Sequence, residues 1–162
     1  MAADEIFATS NCIAEEIRKY IELRKKIVIT PFGVDTNLFK PQNTPRTGEI
    51  VIGFLKGTNP IYGIDIFIKA FKILSDWSKG QDFHLKGIVC GNQSHYEKIR
   101  MQIKDFNLSS EIKFLGEVQH NEMPKIINGC DLVCIPSREE SFGVVAIEAL
   151  ACGVPCVTSD AP

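Results

Sequence analysis

The sequence predicts an α/β domain: a three-layer, doubly wound, mostly parallel sheet. Two observations carry this. Strand-like and helix-like segments alternate from about residue 4 to residue 159. Three of the strand candidates, IVIGFL (50–55), LKGIVC (85–90) and LVCIPS (132–137), are near-continuous apolar runs, as expected of parallel strands covered on both faces. At 162 residues the chain suits one domain with a sizeable core.

The elements follow in order. DEIFATS (4–10) reads as a short apolar strand. Asn11 is placed to cap a helix running to about Tyr20, with Ile13, Ala14, Ile17 and Ile21 on one face. KIVIT (26–30) is a second strand, and Pro31–Asp35 a turn in which Gly33 is free to take positive φ. Phe39 is expected to anchor the loop that runs on through Pro41 and Pro45. EIVIGFL (49–55) is a strongly apolar strand, and in a doubly wound sheet its C-terminal end borders the ligand crevice. The loop KGTNPIY (56–62) leads into a helix over 63–78 with the stripe Ile64, Phe67, Ile68, Phe71, Leu74 and Trp77. Asp65 stands in its first turn, where the helix dipole favours a carboxylate.

DFHLKGIVC (82–90) is the next strand, with His84 half-buried in its alternating part. Ser94–Glu97 fits a capping box opening a helix with Ile99, Ile103 and Phe106 inward and His95 exposed. IKFLG (112–116) is a strand, followed by a short helix ending at Gly129. The run 132–159 then reads strand, polar turn, apolar helix, glycine stop, strand.

This last run holds the candidate chemistry. Glu140 lies in the turn and Glu148 inside the helix, eight positions later. Val144 to Cys152 make that helix apolar on nearly every side, so it is expected to be buried. A carboxylate there requires a hydrogen-bonding partner: a protein Lys or Arg, or the hydroxyls of a ligand. Ser141, Phe142 and Gly143 open the helix. Its first amides lack intrahelical acceptors and, with the dipole, suit a phosphate. Two turns, about 11 Å, separate that end from Glu148, a span that fits phosphate at the turn and ribose deeper in.

The stretch PSREESFGVVAIEALACGVPCV (136–157) resembles the E-x7-E signature of retaining glycosyltransferases of the two-domain GT-B architecture, in particular the "group 1" family. The resemblance extends to PFGVDTNLFKP (31–41), where Phe32 replaces the usual Asn, and to FLGEV (114–118). It implies one Rossmann-like half of a GT-B fold. It also implies transfer of a sugar from a nucleotide-diphosphate donor to an acceptor hydroxyl with retention. Glu140 would be the catalytic carboxylate beside the donor's sugar and phosphates. Glu148 would hold the ribose, and Ser141, Phe142, Gly143 and Val144 the diphosphate. Val118 would pass beside the base, and Lys56 would neutralise the diphosphate. Ile61 and Tyr62 stand where a second basic residue is expected. The resemblance covers about 3–162 but only about half of such an enzyme. It therefore reads as a single donor-binding domain (1–162), with 1–25 like the end of a missing acceptor domain and a truncated C-terminus. The acceptor, a glycan, lipid or small molecule, would belong to that missing domain.

Composition narrows the partners. A net charge of −2 gives no electrostatic case for nucleic acid or an anionic membrane. No apolar run reaches the 18 or so residues of a transmembrane helix, and the acidic start MAADEIFATS is not a signal peptide. Six cysteines, at 12, 90, 130, 134, 152 and 156, match no disulfide framework and read as buried, reduced thiols rather than a zinc site. That points to the cytoplasm, with the whole enzyme peripheral on the inner membrane face. No metal and no cofactor beyond the nucleotide sugar is expected. Apolar surface left by truncation would favour self-association. A second reading is a non-catalytic nucleotide-binding or structural module of the same fold. A phospho-receiver is disfavoured because Asp131 precedes its strand instead of following it. An acyl-transfer triad is disfavoured because no His neighbours Ser141.

Overall fold

The computed structural model describes residues 3–22, 25–45, 48–92 and 95–161. The elements are β1 (Ile6–Ala8), α1 (Asn11–Tyr20), β2 (Ile27–Ile29), β3 (Glu49–Phe54), a 3₁₀ turn (Pro60–Tyr62), α2 (Ile64–Ser78), β4 (His84–Cys90), α3 (Tyr96–Asp105), β5 (Ile112–Gly116), α4 (Met123–Asn128), β6 (Leu132–Ile135), α5 (Val144–Ala151) and β7 (Cys156–Thr158). β3 to β7 form one sheet in the order β5-β4-β3-β6-β7, and every pairing in it is parallel. β1 and β2 pair separately, also in parallel.

The order reverses at β3. From there the chain winds outward through β4 and β5, then returns to β3's other side for β6 and β7. This is the doubly wound arrangement expected, and the crevice between the C-terminal ends of β3 and β6 is its switch point.

Strand alternation divides the core into two layers. Phe54 faces α2 and α3, packing with Phe67, Ile68, Phe71, Ile99 and Ile103. Its neighbour Leu55 faces the other way, with Phe39, Ile127, Val133, Ala149 and Cys152. β6 repeats the alternation: Leu132 and Cys134 join the first layer, Val133 and Ile135 the second. Ala8, Ala14 and Ile27 make a small separate core for β1, α1 and β2. Phe39 is fully buried, as its anchoring role requires.

Several local expectations change. Ser10, not Asn11, caps α1: its hydroxyl accepts the Ile13 N–H at 3.2 Å. Ile21 is exposed just past the helix end. In α2 the buried stripe is Ile64, Phe67, Ile68, Phe71 and Ser75. Leu74 is exposed and Trp77 is 61 % exposed, because they flank the stripe and do not continue it. Ser75 instead donates to Glu111 at 3.0 Å, and Trp77 lies against Phe83. His84 opens β4 and is exposed, since it stands at the strand's start, before the pairing with β5 begins at Gly87. The proposed cap Ser94 lies outside the described residues. α3 starts at Tyr96 after His95, which is half-buried, makes no side-chain cap, and donates its backbone N–H to Thr58 Oγ1 at 3.2 Å. α5 is apolar all round yet covered on one side only: Val144 is exposed and Leu150 is 62 % exposed.

Gly63 fixes how closely the two switch-point loops approach. Its φ is +73°, and a Cβ built there would lie 1.9 Å from the Pro136 carbonyl oxygen. Gly48 has a similar φ of +80° with nothing within 4 Å. Gly48→Ala should therefore cost about 1–2 kcal/mol from conformation alone. Gly63→Ala should cost at least about 2 kcal/mol more, because backbone must move to admit the methyl. Urea unfolding of both variants measures the difference, and equal losses would mean the loops do not pack as described.

Candidate functional site

Two loops meet at the switch point. One follows β3 and carries Lys56 to Gly63; the other follows β6 and carries Pro136 to Gly143. Arg138 clasps them. Its backbone N–H donates to the Ile61 carbonyl at 2.8 Å. Its guanidinium donates to both oxygens of Asp65, at 2.8 and 2.9 Å, and to the Pro60 carbonyl at 2.6 Å. The fork geometry suits a carboxylate, and the guanidinium's hydrogen bonds hold the Asp65 carboxyl below its ordinary range. Beneath, the buried Thr58 hydroxyl donates to the Asn92 carbonyl at 2.9 Å, bracing the first loop against the end of β4.

Inside the clasp, the Lys56 ammonium pairs with Glu140 Oε2 and lies 4.7 Å from the centre of the Tyr62 ring. Ser137 donates to the same oxygen at 3.2 Å, and the Gly143 N–H to Oε1 at 3.1 Å. Burial alone would raise the Glu140 carboxyl. The hydrogen bond and charge of Lys56, then the Gly143 amide and the Ser137 hydroxyl, outweigh that and hold it below the usual carboxylate range.

Gly143, at φ +82°, turns the chain into α5. The amides of Val144 and Val145 then face outward from the helix start without intrahelical acceptors. Phe142 is half-buried and meets Phe32 edge-on, ring centres 5.4 Å apart. Ser141 is exposed. A cleft of about 690 Å³ opens between this site and α1, lined by Cys12, Glu16, Tyr20, Lys56, Tyr62 and Glu140 among others. A second hollow of about 210 Å³ lies behind, lined by Ser137, Glu140, Phe142 and Gly143 among others. Glu140 forms a wall of both.

The structure thus brings Lys56, Glu140, Ser141, Phe142, Gly143 and Val144 together. Glu148 is 6 % exposed, on α5, and does not line the main cleft. Its partner is neither Lys nor Arg: His120 Nε2 lies 3.0 Å from Oε1. Val118 is half-buried against the second core layer. Sequence reasoning left His120 unassigned and did not see Arg138 or the Tyr62 face. The one signal for His120 was its place two residues past Val118, in the segment expected to run beside the ligand. All six cysteines are free; Cys90, Cys130 and Cys152 are buried, but Cys12, Cys134 and Cys156 are only half-buried. Burial pushes the Cys90 thiol up to about 11 and Cys130 to about 12. Among the described residues no group of three metal-ligating side chains assembles, and no helix is long and apolar enough to cross a membrane.

A parallel sheet whose charged loops converge at the switch point defines a doubly wound, Rossmann-like α/β domain. The profile of the glycosyl transferases group 1 matches residues 35–162, and the chain belongs to that family. It is 27 % identical to a D-inositol 3-phosphate glycosyltransferase of Segniliparus rotundus, over 97 % of this chain and 37 % of that protein. It is 29 % identical to an uncharacterized glycosyltransferase of Methanocaldococcus jannaschii, over 94 % of this chain and 42 % of that protein. The chain therefore spans about two fifths of the length of these relatives. Among solved structures, HepE of Anabaena in complex with UDP and glucose superposes with a TM-score of 0.84 at 24 % identity, covering 98 % of this chain and 45 % of that one. The C-terminal domain of a group 1 glycosyl transferase (LpcC) from Francisella tularensis gives 0.69 at 26 % identity, covering 80 % and 71 %.

Lys56→Met should lower stability at pH 7 by about 2 kcal/mol, the scale of a charged hydrogen bond whose partner is left behind. The Glu140 carboxyl is depressed in the folded chain. Its contribution is therefore fully present above its unfolded value of about 4.3 and is lost as pH falls through the folded value. The gap between wild type and variant should close below roughly pH 4. Urea unfolding at several pH values tests this; a gap that does not change with pH would show that the pair contributes nothing to folding.

Proposed function

We propose that this chain binds a nucleotide-diphosphate sugar and supplies the donor side of a retaining sugar transfer to an acceptor hydroxyl. The observation that carries the reading is the meeting of Lys56, Glu140 and the free amides at the start of α5 in one crevice. Negative charge grows on the diphosphate as it leaves. An ammonium group and helix-start amides already aimed there stabilise it without reorganising. Glu140 stands between the two hollows, where it can contact the donor's sugar and phosphates as the catalytic carboxylate. α5 begins at Val144, so Glu148 lies about one turn into it and not two; it is suited to the ribose hydroxyls, and Val118 to the apolar flank of the base. UDP and UDP-glucose in the HepE crystals support a nucleotide-sugar ligand, as do the glycosyltransferase names of the relatives. The acceptor would be bound by a part of the protein outside this chain.

A second reading is a non-catalytic nucleotide-binding module. The pairing of Lys56 with Glu140 favours it: the cation is already neutralised, and Tyr62 covers it where another basic group was expected. A diphosphate must then compete with Glu140 for the ammonium. Sugar release from a bound nucleotide sugar separates the two readings; tight binding with no release under any condition supports the module.

The first test is calorimetric titration of UDP, GDP and ADP into this chain and into Glu148→Ala. One nucleotide should bind, and the substitution should weaken it by about 1–3 kcal/mol. No binding of any of them at millimolar concentration overturns the donor reading for this chain.

A further inference from the structure

We infer that His120 is a positioning residue for Glu148: it holds one carboxylate oxygen and leaves the other for a vicinal diol of the ligand's ribose. The inference rests on the donor reading above and assigns a residue that reading does not use.

The geometry is asymmetric in a way that a purely structural pair need not be. Glu148 is 6 % exposed. Oε1 is engaged by His120 Nε2 at 3.0 Å, and no described residue donates to Oε2. Every fully buried side-chain nitrogen or oxygen among the described residues has a partner. Oε2 therefore reaches accessible surface. A nearly buried carboxylate with about four acceptor positions is thus served on one side only, and its open side is where a ligand hydroxyl can donate.

The histidine is built for that division. It lies in the loop between β5 and α4, and its side chain is 70 % exposed. What fixes the ring is Phe39, fully buried, whose ring centre lies 5.1 Å away at 61°. The contact turns the Nε2 edge toward the carboxylate. An arginine here would engage both oxygens in a fork and leave no acceptor for the ligand. Imidazole offers one N–H along one line, and the carboxylate itself selects the form with a proton on Nε2. A hydroxyl-reading site made this way should favour ribonucleotides over analogues without the diol, because those leave a desolvated carboxylate oxygen unmatched.

The test is calorimetry with whichever of UDP, GDP and ADP binds, alongside its 2′,3′-dideoxy counterpart. The proteins are this chain, His120→Ala, His120→Gln and Glu148→Ala, with thermal midpoints recorded to confirm folding. Wild type should prefer the ribose form roughly tenfold or more. His120→Ala should narrow that preference to about threefold or less while leaving the dideoxy affinity unchanged, and His120→Gln, which keeps an N–H donor, should restore most of it. If Glu148→Ala loses the preference and His120→Ala keeps it, or if His120→Ala weakens both ligands equally, this inference is overturned and the donor reading stands. If wild type binds neither form, or binds both equally well, the ribose assignment and the role of His120 fall together.

Discussion

Two loops must close on each other before this domain has a site, and the pairing of Lys56 with Glu140 is where they do so. One residue comes from the end of β3 and the other from the turn after β6, on opposite sides of the reversal in strand order. Neither loop has a hydrophobic core of its own. They are held by polar contacts: Arg138 onto Asp65 and two carbonyls, Thr58 onto the end of β4, and the tight passage of Gly63 past Pro136. The apolar layers beneath bring the strand ends to within reach, and the charged pair then sets the register of the loops. Because both charges are largely covered, their attraction is less screened than that of the solvent-exposed pairs along α2.

The same economy appears in α5. One short helix presents its amide end to the crevice and, about one turn later, a carboxylate to His120. The spacing between the amide end and that carboxylate is thus set by helical rise, which loops could not hold as firmly. The helix does not need full burial to do this. Ala149 and Glu148 are covered, and Leu150 on the opposite side is not.

Much of this was legible in the residues. Strand identity and order of appearance followed from apolar runs, because covered parallel strands tolerate little else. The turn around Gly143 and the pairing of two carboxylates on one strand–turn–helix unit were local features, visible in 132–159. What escaped was long-range. His120 reaches Glu148 across 28 positions and Arg138 reaches Asp65 across 73; no periodicity encodes such meetings. Ser75 replaced Leu74 and Trp77 in the buried stripe because helix-wheel spacing cannot say how wide the covering sheet is. Ser10 took the cap from Asn11 because either residue type can serve, and the first to adopt extended backbone before the helix wins.

The edge-on contact of Phe32 with Phe142 joins two parts that share no sheet. Phe32 lies in the connection leading out of the β1–α1–β2 unit; Phe142 lies in the turn that starts α5. A swing of that small unit about its connection must either part the rings or drag the turn with it. The first leaves half-covered aromatic surface facing water, and the second shifts the amides that follow Gly143. The posture of the small unit and that of the turn before α5 are therefore mechanically linked, and whatever steadies one steadies the other.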